Sequence, residues 1–138
     1  VNLAEFAGAV KAVAERAEAE LASECAQAAA REYLAALHVT TPVLTGALRE
    51  SEHVFGVTGG GPVAVAEVGS ELIYAKFRNF GGTITSKGPW PLRNRATGQV
   101  FGRSVTQAGS HYMENAEAWA EGPIRAACQV KLDEFLTL

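Results

Sequence analysis

Long apolar runs are missing from these 138 residues. None approaches the roughly 20 residues of a membrane-spanning helix, so no membrane association is expected. Cysteine is scarce. Cys25 and Cys128 stand far apart in helix-like segments, which fits buried free thiols better than a secreted disulfide scaffold. The opening stretch from Val1 to Val10 has no basic flank of the secretory kind, so synthesis in a cytoplasm is expected, and the absent initiator Met fits a trimmed chain. One sign of charge is also missing locally: no Asp or Glu lies between Leu72 and Met113, where Lys76, Arg78, Lys87, Arg93, Arg95 and Arg103 all fall. The formal net charge is only -3, which by itself favours neither nucleic acid nor an anionic membrane. The middle is a basic block inside an acidic protein. With 48% apolar and 20% charged residues, the chain is too hydrophobic for wholesale disorder, and its length suits one core, a single domain over residues 1–138.

Residues 3–37 are rich in Ala, Glu and Leu and contain no Pro, which predicts one long helix. Asn2 is its candidate N-cap. Leu3, Phe6, Val10, Val13, Ala17, Leu21, Cys25 and Ala28 recur at spacings of three and four and draw one apolar stripe. At about 1.5 Å per residue such a helix outruns a domain of this size, so part of it should project towards a neighbour. Pro42 ends it, and Thr45, Gly46, Ala47, Leu48 and Arg49 form a short turn. In that turn Thr45 caps, Gly46 supplies a permissive backbone, Leu48 fills the core and Arg49 pairs with an acid.

Val-rich runs at 53–58 and 63–68 flank Gly59, Gly60, Gly61 and Pro62, predicting two antiparallel strands around a flexible turn. A short helical or irregular stretch at 74–83 follows. Further strands are expected at 84–86, 92–94 and 99–105, with a rigid loop from Lys87 to Pro91 that displays Trp90. A helix over 112–121, an interruption at Gly122 and Pro123, and a last helix to the C-terminus complete the chain. The plan is α+β, with a long N-terminal helix and a C-terminal helix packed on a mainly antiparallel sheet of four or five strands.

Catalytic signals are weak. His38, His53 and His111 have no partner at metal-ligand spacing, and no helix start with Lys and a hydroxyl follows the glycine run as a phosphate-cradling loop requires. Cys25 lies on the inward stripe, and Ser104 and Ser110 lack a turn that exposes a nucleophile. Glu50 and Glu52 share a strand face, which solvation explains better than acid–base chemistry. No catalytic residue, metal or cofactor is nominated, and no enzyme activity is expected.

The basic block remains. Its cations interleave with Tyr74, Phe77, Phe80, Trp90 and Phe101. Arg and aromatic side chains favour interface cores, and a neighbouring copy's acidic surface would neutralise the charge, so protein contact is preferred to single-stranded nucleic acid. Tyr74, Lys76, Phe77, Arg78, Lys87, Trp90, Arg93, Arg95 and Arg103 are the candidate subunit or partner interface. For Tyr74, Phe77 and Phe80, packing in the core is the favoured alternative.

Thr45-Gly-Ala-Leu-Arg-Glu-Ser51, Tyr74-Ala75 with Phe77, and Gly81-Gly82-Thr83 together resemble the tail-completion, or tail-terminator, proteins of long-tailed bacteriophages. The resemblance spans almost the whole chain, with Asn79 where the family carries an acid. It implies a structural virion protein in the neck at the top of the tail. There it would form a ring, of hexameric size, that terminates the tail tube and meets the head connector while genomic DNA passes through without sequence-specific binding. A head-completion or stopper ring, or a minor tail component, is the alternative within the same virion; a nucleic-acid-binding module is the alternative outside it.

Overall fold

The computed structural model describes residues 2–43, 46–94 and 97–137. Helix α1 (Leu3–Arg16), a π-helical turn (Ala17–Leu21) and helix α2 (Ala22–Thr40) form one uninterrupted rod. Asn2 starts it through a reciprocal capping box: its Oδ1 accepts from Glu5 N at 2.9 Å, and the Glu5 carboxylate accepts from Asn2 N at 3.1 Å. The π turn loosens the backbone ladder where the Ala19 carbonyl accepts from Gly61 N at 3.3 Å. The glycine turn between the first two strands is thereby tied to the rod.

Helix α5 (Tyr112–Leu136) runs antiparallel to the rod. Thr40 Oγ1 donates to the Tyr112 carbonyl at 2.9 Å and the Tyr33 hydroxyl to the Met113 carbonyl at 3.3 Å. Further along, the Cys25 and Cys128 thiols face each other's carbonyls, and the Arg16 guanidinium sits 4.5 Å over the Phe135 ring. In this register α1 extends past the end of α5 by roughly 20 Å. None of its residues is buried, and Leu3 is 83% exposed. The expected apolar stripe is therefore covered only from its C-terminal half, with Ala28 buried.

The break expected at Gly122 and Pro123 does not occur; α5 is continuous. Both residues lie on the exposed face, where water can serve the carbonyl that Pro123 leaves without a backbone donor.

The core lies where α2 and α5 meet Leu48 of helix α3 (Ala47–Ser51) and Ala75 of helix α4 (Ile73–Phe80). Ala36, Ala116 and Ala120 let the backbones approach, and Leu37 and Tyr112 fill the space between them, each 1% exposed. Strands β1 (His53–Thr58) and β2 (Val65–Gly69) pair antiparallel, and α2 packs on them.

The remaining strands belong to separate ribbons: β3 (Gly81–Thr85) with β6 (Ser104–Ala108), and β4 (Leu92–Arg93) with β5 (Val100–Gly102). The α+β plan with antiparallel pairing stands, but among the described residues six strands form three two-stranded sheets instead of one sheet. Residues 81–108 are rich in Gly, Thr and cations, so the β3–β6 ribbon has no continuous apolar face to lay on the helices.

Candidate functional site

Residues 81–94 and 97–108 form an arm whose main packing outside itself, among the described residues, is against α4. Its root is held by backbone bonds, Ser110 N to the Arg78 carbonyl at 2.8 Å and His111 N to the Asn79 carbonyl at 3.0 Å. A Cβ at Gly109 would run into the backbone of Asn79, Phe80 and Gly81, so this crossing requires glycine. Thr83 and Thr106 pair their hydroxyls at 2.7 Å across the ribbon.

The tip is built by Ser86. Its hydroxyl donates to the Trp90 carbonyl at 2.6 Å, with the Gly88 carbonyl at 3.2 Å as a second position for the same proton, and its amide donates to the Arg103 carbonyl at 2.7 Å. Arg103 Nη2 closes the loop on the Gly88 carbonyl at 3.1 Å. Trp90 stands 78% exposed on this fixed loop beside exposed Lys87. The expected loop with one displayed aromatic is present.

Other predicted interface residues distribute as follows. Phe77, Arg78 and Arg93 come together with Ile84, Leu92 and Phe101 around a cavity of 470 Å³ between α4 and the arm. Lys76 is exposed on α4. Tyr74 and Phe80 are 43% and 57% exposed, so packing in the core is incorrect for these two; Ala75 and Asn79 take the buried face of α4. Among the described residues, Lys76, Arg78, Lys87, Arg93 and Arg103 have no carboxylate within ion-pair distance. Arg95 and Thr45 lie outside the described residues.

Where it is described, the segment after the rod is helical from Ala47 to Ser51, and Arg49 makes no ion pair with an acid among the described residues. Gly46 is left-handed at φ 86° and precedes α3, Leu48 is buried, and Arg49 is exposed. Arg49 lies close enough to Glu52 to favour its charged form. The Glu52 carboxyl is itself buried: it accepts from the Thr41 hydroxyl and has His38 Nε2 at 3.8 Å, while its second oxygen has no hydrogen-bond donor among the described residues. Burial pushes this carboxyl up, partly opposed by Thr41, His38 and Arg49.

A second surface escaped the sequence reading. Between α2, α5 and β1–β2 runs a groove of 510 Å³ lined by Ala29, Tyr33, Phe55, Glu67, Glu117 and Ile124, among others. Tyr33, Glu117 and Ile124 also line an adjoining hollow with Glu114 and Glu121. The groove has an apolar floor and carries Glu67 and Glu117, whereas in the hollow Glu121 is paired with Arg125 at 3.0 Å. Burial pushes the Tyr33 phenol up, and the negative field of Glu117, Glu114 and Glu52 adds to that shift. The acid-rich flanks of the basic block were the available signal, but which acids converge depends on how α5 lies along α2.

The three histidines are dispersed: His38 lies by Glu52, the His53 ring is 4.4 Å from that of Phe55, and His111 precedes α5. Among the described residues no cluster of His, Cys, Asp or Glu is arranged to hold a metal ion, and no helix is long and apolar enough to cross a membrane.

Residues 4–81 match the HK97-gp10-like family, described as a candidate tail component of bacteriophage HK97. The match runs from the rod through α4 to the first residue of the arm. No curated protein and no solved structure matches the chain.

Proposed function

Since the chain belongs to the HK97-gp10-like family of bacteriophage tail components, we propose that it is a structural protein of the virion neck, one subunit of a ring that ends the tail tube and joins it to the head connector. The observation that carries this reading is an arm whose cations, among the described residues, have no carboxylate within ion-pair distance, while the acidic residues lie elsewhere along the chain. A compact monomer gains nothing from that separation, whereas head-to-tail contact between copies satisfies every arm once the ring closes. A hexamer is the proposed ring size, with genomic DNA passing through its centre. The tube protein and the connector or stopper protein are the proposed neighbours, and the protein works by shape, without a reaction. The exposed Leu3, Phe6 and Val10 of α1 offer a further apolar surface to such neighbours.

Imaging labelled protein in intact particles tests the reading. Density between the connector and the first tube ring is expected, and density elsewhere in the particle, or none, overturns it.

The exposed Trp90 and Phe101 beside unpaired Arg93 and Arg103 also favour a second reading, a single-strand nucleic-acid surface. A salt titration of binding separates the two. Phosphate contact would give a steep salt dependence that neutralising Arg93 and Arg103 flattens, whereas an assembly surface would lose self-association instead.

A further inference from the structure

We propose that the Trp90 loop of one copy docks in the acidic groove of the next copy, with the indole against Tyr33, Phe55 and Ile124 and the arm's cations facing Glu67, Glu114 and Glu117. The proposal rests on the ring reading above and names the contact that would close the ring.

Three features of the two surfaces support it. The first is charge. Among the described residues, the arm carries Lys87, Arg93 and Arg103 without a carboxylate partner, and the groove rim carries Glu67 and Glu117, which likewise have no cation within ion-pair distance. Each surface supplies the sign the other lacks, and apposing them costs less desolvation per charge than burying either alone.

The second is shape. An exposed Trp is a large amphipathic anchor of the kind that dominates interfaces, and a groove of 510 Å³ with an apolar floor and partly open Phe55 and Tyr33 has room for it. None of the residues lining the groove or the hollow beside it belongs to the arm of the same copy.

The third is order. The hydrogen bonds of Ser86 and Arg103 fix the loop before any partner arrives, so little conformational freedom is lost on docking.

The occupant is a second copy because arm and groove sit on one chain and complement each other in charge; tube or connector proteins are alternatives the test distinguishes. The purified chain is examined by sedimentation equilibrium at low salt, with circular dichroism to verify folding. The unaltered chain is expected to self-associate, less so as salt rises. Lys87→Glu with Arg93→Glu, or Glu67→Lys with Glu117→Lys, should each abolish association by apposing like charges. Combining all four substitutions in one chain should restore it, because the pairs are re-formed with signs exchanged. Trp90→Ala should weaken association about 30-fold or more, the loss typical of a central interface aromatic.

A chain that stays monomeric up to its solubility limit overturns the proposal. So does a folded four-fold variant that fails to re-associate, or a Trp90→Ala chain that associates like the parent. Rescue in the purified chain together with particles that hold the protein elsewhere would remove the neck reading and leave the docking mode standing. Particles labelled at the neck without rescue would do the reverse.

Discussion

Asn79 caps a helix to which it does not belong. Its side chain is wholly buried in α4, and its Oδ1 accepts from Met113 N at 2.9 Å, in the first turn of α5, whose own preceding residue, His111, supplies no side-chain cap. The amide nitrogen of Asn79 donates to Glu114 Oε1 at 3.2 Å. The amide thus serves a backbone donor and a carboxylate at once, which a carboxylate in its place would not do. Asn79→Ala should destabilise the fold by about 1–2 kcal/mol through the lost cap, more if the buried donor finds no water. Asn79→Asp should keep the cap yet set two carboxylates together, so its deficit should shrink on acidification. Denaturant unfolding at neutral and acidic pH checks both, and an Ala variant as stable as the parent would remove the capping role.

Glu52 should make stability depend on pH. Its carboxyl is raised chiefly by burial, so the folded state holds the proton more tightly than the unfolded state. That contribution is complete below the ordinary carboxylate range and is lost as pH rises through the raised value. Glu52→Gln should therefore match the parent in acid and exceed it at neutral pH. Thermal melts across this range are the measurement; parallel curves for the two proteins would refute the assignment.

Leu48 and Arg49 are adjacent but should differ sharply. Leu48 is 5% exposed in the core cluster, and Leu48→Ala should cost about 2–5 kcal/mol. Arg49 is exposed, and Arg49→Ala should change stability by less than about 0.5 kcal/mol. Equal effects in chemical denaturation would show that the turn is held by something other than core filling.

The overhanging helix should contribute little to the isolated fold. Leu3→Ser with Phe6→Ser should leave the unfolding midpoint almost unchanged, since nothing in α1 is buried. Its amides should exchange with deuterium far faster than those around Leu37, because local opening there exposes no core. Protection of α1 equal to that of α2 in the free chain would contradict this picture.

Much of this was written in local chemistry. The Asn2 cap, the first strand at 53–58, the displayed Trp90 and the permissive Gly46 each depend on residues within a few positions of one another, so propensity and turn chemistry suffice to read them. The basic block is legible for the same reason. It is a run along the chain. Pro123 misled because a proline's effect depends on which face of the helix it occupies, and that face is assigned by packing.

What the sequence alone determined is therefore the inventory: one long rod, strands with turns, a middle stretch bare of carboxylates, and helical residues towards the C-terminus. Tertiary structure decided how they are used. The antiparallel register of α5 on α2 chose which half of the apolar stripe is covered and set Glu114 and Glu117 beside Tyr33, the packing of β2 on α2 brought Glu67 to the same groove, and the approach of α4 to α5 turned Asn79 into a cap. These outcomes join residues distant along the chain, and no periodicity or local preference encodes a distance across the core. Only the side chains that fill the space between two helices set that register.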